Sequence, residues 1–186
     1  MKLRYNSPVV LTLTLLSTAV LIVDSLVSGS FAETYFALHP SFDFGAVLSY
    51  VRLFSHVAGH ANWMHLMANF SFILLIGPIL EEKYGSKRIL SLILITALVT
   101  GLLNVLFFGT GLMGASGIVF MLILLSSFTN IRAGEVPLTF ILVVALFLTK
   151  EIISALGPED NISQFAHVIG GVCGGAFGFL ITHRNA

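Results

Sequence analysis

Charge is scarce in this sequence. Only 10% of its 186 residues are Asp, Glu, Lys or Arg, while 56% are hydrophobic; a soluble domain carries about 25% charged residues. Such a chain cannot clothe a globule in solvated side chains. Its main solvent is the bilayer, so its backbone polar groups must be satisfied inside helices. Nine basic residues balance nine acidic ones, which leaves no cationic footprint for a nucleic-acid partner. Cysteine is almost missing too. Cys173 stands alone in an apolar run, which excludes an internal disulfide and reads as a small buried hydrophobe.

What the chain has instead is long apolar runs. A bilayer core takes about 20 apolar residues as helix. Six stretches approach that length: 8–27, 62–80, 88–108, 115–128, 137–156 and 163–182. Gly85-Ser86-Lys87, Gly109-Thr110-Gly111, Asn130 to Gly134 and Gly157 to Asn161 separate the last five. The expected fold is all-α: one polytopic membrane domain of six transmembrane helices over residues 1–186. Lys2 and Arg4 before an apolar stretch, with Ser28-Gly29-Ser30 after it, also have the outline of a signal peptide. The run to Val27 is long enough to span, and it is read as the first helix.

Seven of the nine basic residues fall on one side of this arrangement: Lys2, Arg4, Lys83, Lys87, Arg88, Arg132 and Arg184. Arg52 lies on the other side, and Lys150 lies inside the fifth span near that end. The positive-inside rule makes this a multi-pass protein of the cell membrane with both termini cytoplasmic. Spans two, four and six then begin at the outer face. His65 and Asn69 come early in the second, Ser116 opens the fourth, and His167 comes early in the sixth. Four polar groups therefore share one depth. The fourth span is short, roughly 21 Å at 1.5 Å per residue against a core of about 30 Å. The chain before it must dip below the surface, which puts Ser116 at the floor of a wet pit.

Serine is a weak nucleophile that needs an adjacent base, and histidine titrates near neutrality. Span six carries two glycine series, 170/174/178 and 171/175, and His167 shares a face with the first. Glycines let helix backbones approach closely in lipid. Packing against Ser116-Gly117 would bring hydroxyl and imidazole together. No acid is evident to orient the ring; Glu151 and Asp24 cannot be placed beside it. Phe120, one turn beyond Ser116, is a candidate to stack on it instead. His65 and Asn69, at i and i+4, present oxyanion donors from one face, and the Ser116 N–H is a third. His56, His60 and His65 also raise a metal centre. On a continuous helix, however, His65 points about 140° from His60, and zinc needs three or four convergent ligands; a loop between them would still allow the three to converge. Bracing of the outer segment is the simpler role for His56 and His60. That segment, residues 28–61, has an aromatic, interfacial character.

Taken together, the chain resembles a rhomboid intramembrane serine protease across all six spans. The resemblance rests on Gly114-Ala115-Ser116-Gly117, on Ala166-His167-Val168-Ile169-Gly170, and on the series His56, His60, His65, Asn69. Arg52, Gly77 and Glu81 belong to it as well. It implies a six-helix rhomboid-like bundle with Ser116 as nucleophile and His167 as general base. It further implies that Asn69, His65 and the Ser116 N–H receive the oxyanion and that Gly114 forms the turn presenting the serine. The implied substrates are transmembrane segments of membrane proteins, cut near the outer face; no cofactor or metal is implied. Two departures are evident: Phe120 stands where many bacterial relatives have Tyr, and Val51-Arg52 where they often have Trp-Arg. The alternative is a non-catalytic rhomboid-like protein that binds membrane helices.

Overall fold

A computed structural model describes residues 4–27, 30–108, 111–128, 138–155 and 161–184. Lys2 and Arg132, both used in the orientation argument, lie outside them, as does the side chain of Glu151. Among the described residues the protein is all-α, with no strand. The helices are α1 (Pro8–Leu26), α2 (Phe31–Tyr35), α3 (Val47–Ser55), α4 (Trp63–Tyr84), α5 (Ser86–Phe107), α6 (Ser116–Ser127), α7 (Leu138–Ala155) and α8 (Asn161–Arg184). A 3-10 turn, His56–Ala58, follows α3. Among the described residues, three helices, α1, α4 and α5, are long and apolar enough to cross a bilayer by length and composition. The chain is a polytopic helical membrane protein.

Helices in lipid gain little from hydrophobic burial against one another, so small residues and polar contacts decide where they meet. The junction of α1 and α4 shows this. A Cβ on Gly77 would lie 2.7 Å from Val10 Cγ2, so only glycine admits α1 this closely. One turn on, the Glu81 carboxylate accepts the Val9 and Val10 amides at 3.0 Å each. These first-turn donors have no partner within their own helix, and an anion at a helix N-terminus is favoured. Glu81 therefore lies inside the helix, just beyond the apolar run of 62–80. It is 3% exposed, and α4 runs on to Tyr84. Gly85, at φ +84°, then turns the chain directly into α5.

The shortest of the six longer helices sits at the centre. α6 packs against α4, α5, α7 and α8, and it buries residues on all sides, with Ile118, Met121, Leu122 and Leu125 at 0–1% exposure. A helix apolar all round belongs in such a position. Its most extensive partner is α8, and glycines make that contact. A Cβ on Gly170 would collide with the Gly117 backbone, and one on Gly174 with the Met121 carbonyl.

The outer segment is fastened at several points. The Ala32 amide donates to Asp24 Oδ1 at 2.7 Å, which ties α2 to α1. Arg52 donates to the Thr34 carbonyl and ties α3 to α2. A Cβ on Gly101 would meet the Leu53 carbonyl oxygen at 3.0 Å, so α3 lies directly on α5. Leu38 and Leu112 exchange both backbone hydrogen bonds at 2.9 Å, joining this segment to the stretch that leads into α6.

Candidate active site

The chain from 111 to 115 is irregular yet buried at Leu112, Gly114 and Ala115. Buried backbone of this kind must find partners outside itself. Leu112 pairs with Leu38, and the Gly114 amide donates to the His56 carbonyl at 2.9 Å. The Ala115 amide donates to His60 Nε2 at 3.4 Å. Gly114 has φ +132°, a region open to glycine and strained for other residues. Its missing side chain matters as well: a Cβ there would lie 2.7 Å from His65 Cε1 and 3.7 Å from Asn69 Nδ2. The two candidate oxyanion donors on α4 thus flank the turn that precedes Ser116.

His60 organises the turn. Its Nε2 lies 3.1 Å from Asn69 Nδ2 and also receives the Ala115 amide. A nitrogen that accepts from a backbone N–H carries no proton, so the Asn69 group facing it is the NH2. One amide proton of Asn69 is engaged with His60, and the second remains for another acceptor. Burial pushes the His60 pKa down to about 4, and repulsion from His65 adds to the effect. His56, buried behind the same turn, is also lowered to about 4 by desolvation. It donates from Nδ1 to the Arg52 carbonyl at 3.1 Å, and its Nε2 lies 3.4 Å from the Thr100 hydroxyl on α5. Both rings are neutral at physiological pH; His56 has a protein partner at each nitrogen, His60 at Nε2 alone. Among the described residues no three His, Cys, Asp or Glu side chains converge as a metal centre requires.

His65 does not diverge from His60 as a continuous helix would require. The 3-10 turn ends at Ala58 and α4 starts at Trp63, where Asn62 accepts the His65 amide at 2.9 Å as the cap. The break brings the two rings to 5.0 Å at 66°.

On the other side of Ser116 lies α8. Gly117 and Gly170 touch backbone to backbone, and a Cβ on Gly117 would lie 3.3 Å from the Ala166 carbonyl oxygen. His167 follows Ala166, and its ring meets Phe120 with centroids 4.5 Å apart at 42°. Ser116, Phe120 and His167 are all half-buried. Asp24, one of the two acids considered as an orienting group, caps α2 instead.

A polar strip on α5 was not foreseen. Thr96, Thr100 and Asn104, each 0–2% exposed, stand at i, i+4 and i+8 on one helix face. Their spacing in an otherwise apolar run was the available signal. Thr100 is the member that reaches the site, through His56 and through its methyl group 3.4 Å from where a Gly117 Cβ would be.

A family model for the Rhomboid domain matches residues 48–184. Among similar proteins, RHOMBOID-like protein 1 of Arabidopsis thaliana is 34% identical over 142 residues, covering 72% of this chain and 35% of that protein. RHOMBOID-like protein 2 of the same plant is 32% identical over 143 residues, covering 72% and 43%. The chain thus spans less than half the length of these two relatives. Rhomboid protease GlpG of Yersinia pestis (strain Pestoides F) is 27% identical over 183 residues, covering 96% of this chain and 64% of that protein.

Proposed function

This chain belongs to the rhomboid family, and on that premise we propose that it is an intramembrane serine endopeptidase cutting transmembrane segments of membrane proteins near the outer face. Ser116 is the nucleophile and His167 the general base. The observation that carries this reading is the crossing of α6 and α8 at Gly117 and Gly170. Ser116 adjoins the first glycine, and His167 lies one turn before the second on the same face. Phe120, one turn from Ser116, already touches the His167 ring. It holds the imidazole by contact where a soluble triad would use a carboxylate.

In the proposed reaction the Ser116 oxygen adds to the scissile carbonyl carbon while its proton passes to His167. The oxyanion forms beside Gly114, where the free Asn69 amide proton, His65 and the Ser116 N–H are its donors. Collapse breaks the C–N bond, and His167 returns the proton to the leaving amine. Water, activated by the same imidazole, then releases the acyl group from Ser116. A substrate helix must unwind first, because its carbonyls are otherwise hydrogen-bonded within the helix. The positive-inside pattern supports cytoplasmic termini and an active site opening to the outer face.

Purified protein in liposomes tests the reading. We expect Ser116→Ala and His167→Ala each to abolish cleavage of a single-span substrate while insertion is unchanged, and a mechanism-based serine probe to label Ser116. Cleavage that survives Ser116→Ala removes the nucleophile. Helix binding with neither cleavage nor labelling would make the protein the non-catalytic relative.

A further inference from the structure

On the flank of the bundle, α1, α5 and the end of α3 with its 3-10 turn enclose a groove of about 680 Å³. Its lining is apolar along almost its whole length. Pro8 and Ser86, the first residues of α1 and α5, both line it, and Val57 and Ala58 stand among the wall residues from the outer segment. From Ser86 to Leu94 is eight residues, roughly 12 Å of helix, and Pro8 to Leu16 is the same. That length approaches one leaflet of hydrocarbon, about 15 Å. An apolar trough of about one leaflet's length, open along its side, suits an acyl chain.

The Pro8–Ser86 end has a sign. Lys87 lies three and seven residues before Leu90 and Leu94, so it shares the face of α5 that lines the groove. Arg4 precedes α1 on the same side, and both residues are exposed. Of the two acids before the α4–α5 junction, Glu81 already accepts the Val9 and Val10 amides, and the exposed Glu82 is outnumbered by the exposed Lys83, Lys87 and Arg88. We propose that this groove binds one anionic phospholipid from the leaflet on the cationic side, with one of its two acyl chains between α1 and α5, the other in the surrounding bilayer, and its phosphate at Lys87. Val57 and Ala58 lie in sequence between His56 and His60, which hold the Gly114–Ala115 turn. The lipid would therefore back the segment that braces the candidate active site. The binding claim itself does not depend on proteolysis.

The test is native mass spectrometry of the detergent-purified chain titrated with dioleoylphosphatidylglycerol or dioleoylphosphatidylcholine. We expect a first phosphatidylglycerol adduct tighter than the phosphatidylcholine one. Lys87→Gln should weaken the former about fivefold, the effect of one near-surface cation, and leave the latter unchanged. Leu94→Trp should weaken the first adduct of both lipids by filling the groove; Leu94 is 42% exposed, so the larger ring need not disturb the core. Leu90→Trp, at a position 45% exposed, repeats the test should that variant fail to fold. Equal binding of the two lipids, or indifference to Lys87→Gln or to both tryptophans, overturns the proposal. So does a photoreactive group at position 94 that captures a single-span peptide in place of lipid.

Discussion

At the scale of single residues, Gly114 is where backbone conformation and chemistry meet. It occupies φ +132° with no room for a Cβ beside the His65 ring. Gly114→Ala is expected to cost about 1–3 kcal/mol of stability through strain and to lower cleavage at least tenfold by displacing His65 or the turn; thermal unfolding and a substrate assay read the two effects separately. The sequence marked this glycine only through a resemblance. Positive φ leaves no trace in composition, and the neighbour that forbids a side chain comes from a helix some fifty residues away. The histidines were similarly half-legible. Their spacing identified polar residues in an apolar chain, but a helical projection separated His65 from His60. The break between Ala58 and Trp63, and the Asn62 cap that starts α4 afresh, put the rings in contact. A local signal for that cap was present in Asn62, since asparagine favours the N-cap position.

At the scale of elements, the α6–α8 seam decides whether serine and imidazole can meet. Two glycine series were visible in span six, and periodicity alone does not choose between them. The structure uses Gly170, Gly174 and Gly178, which face Gly117, Met121 and Phe128, whereas a Cβ on Gly175 would meet nothing within 4 Å. Adjacent helix positions differ by about 100° in direction, so one series packs and its neighbour looks away. Gly174→Leu should therefore force the helices apart, costing about 1–3 kcal/mol or more and abolishing cleavage. Gly175→Leu should leave both the unfolding midpoint and activity near those of the unmodified chain. Equal sensitivity of the two positions would contradict this packing. The α1–α4 junction teaches the same lesson with a charge. The sequence marked Glu81 only through the resemblance, because its partners, the first amides of α1, are some seventy residues distant.

At the scale of the whole molecule, stability should depend on pH through the histidines behind the turn. Both His56 and His60 have pKa values lowered by burial to about 4 from an ordinary 6.5. Between those values the unfolded chain binds more protons than the folded one. The stabilisation is thus fully present above about pH 6.5 and is lost as pH falls towards 4, on the order of 3 kcal/mol for each ring. The thermal midpoint should fall over that window, and His60→Gln should flatten the slope by one histidine's share. A midpoint constant from pH 7.5 to 4.5 would argue against neutral buried rings. Protonation of His60 would also turn its acceptor nitrogen into a donor and release both Asn69 and the Ala115 amide. By itself the sequence determined that this is a helical membrane protein, and roughly where its helices run, because lipid admits few ways to satisfy a backbone and apolar length is a local property. It also singled out the polar residues whose presence in an apolar chain has a cost. Only the tertiary structure decided which glycine face packs, which carboxylate caps which helix, and how the turn before Ser116 is held, because each depends on atoms from distant parts of the chain arriving at one place.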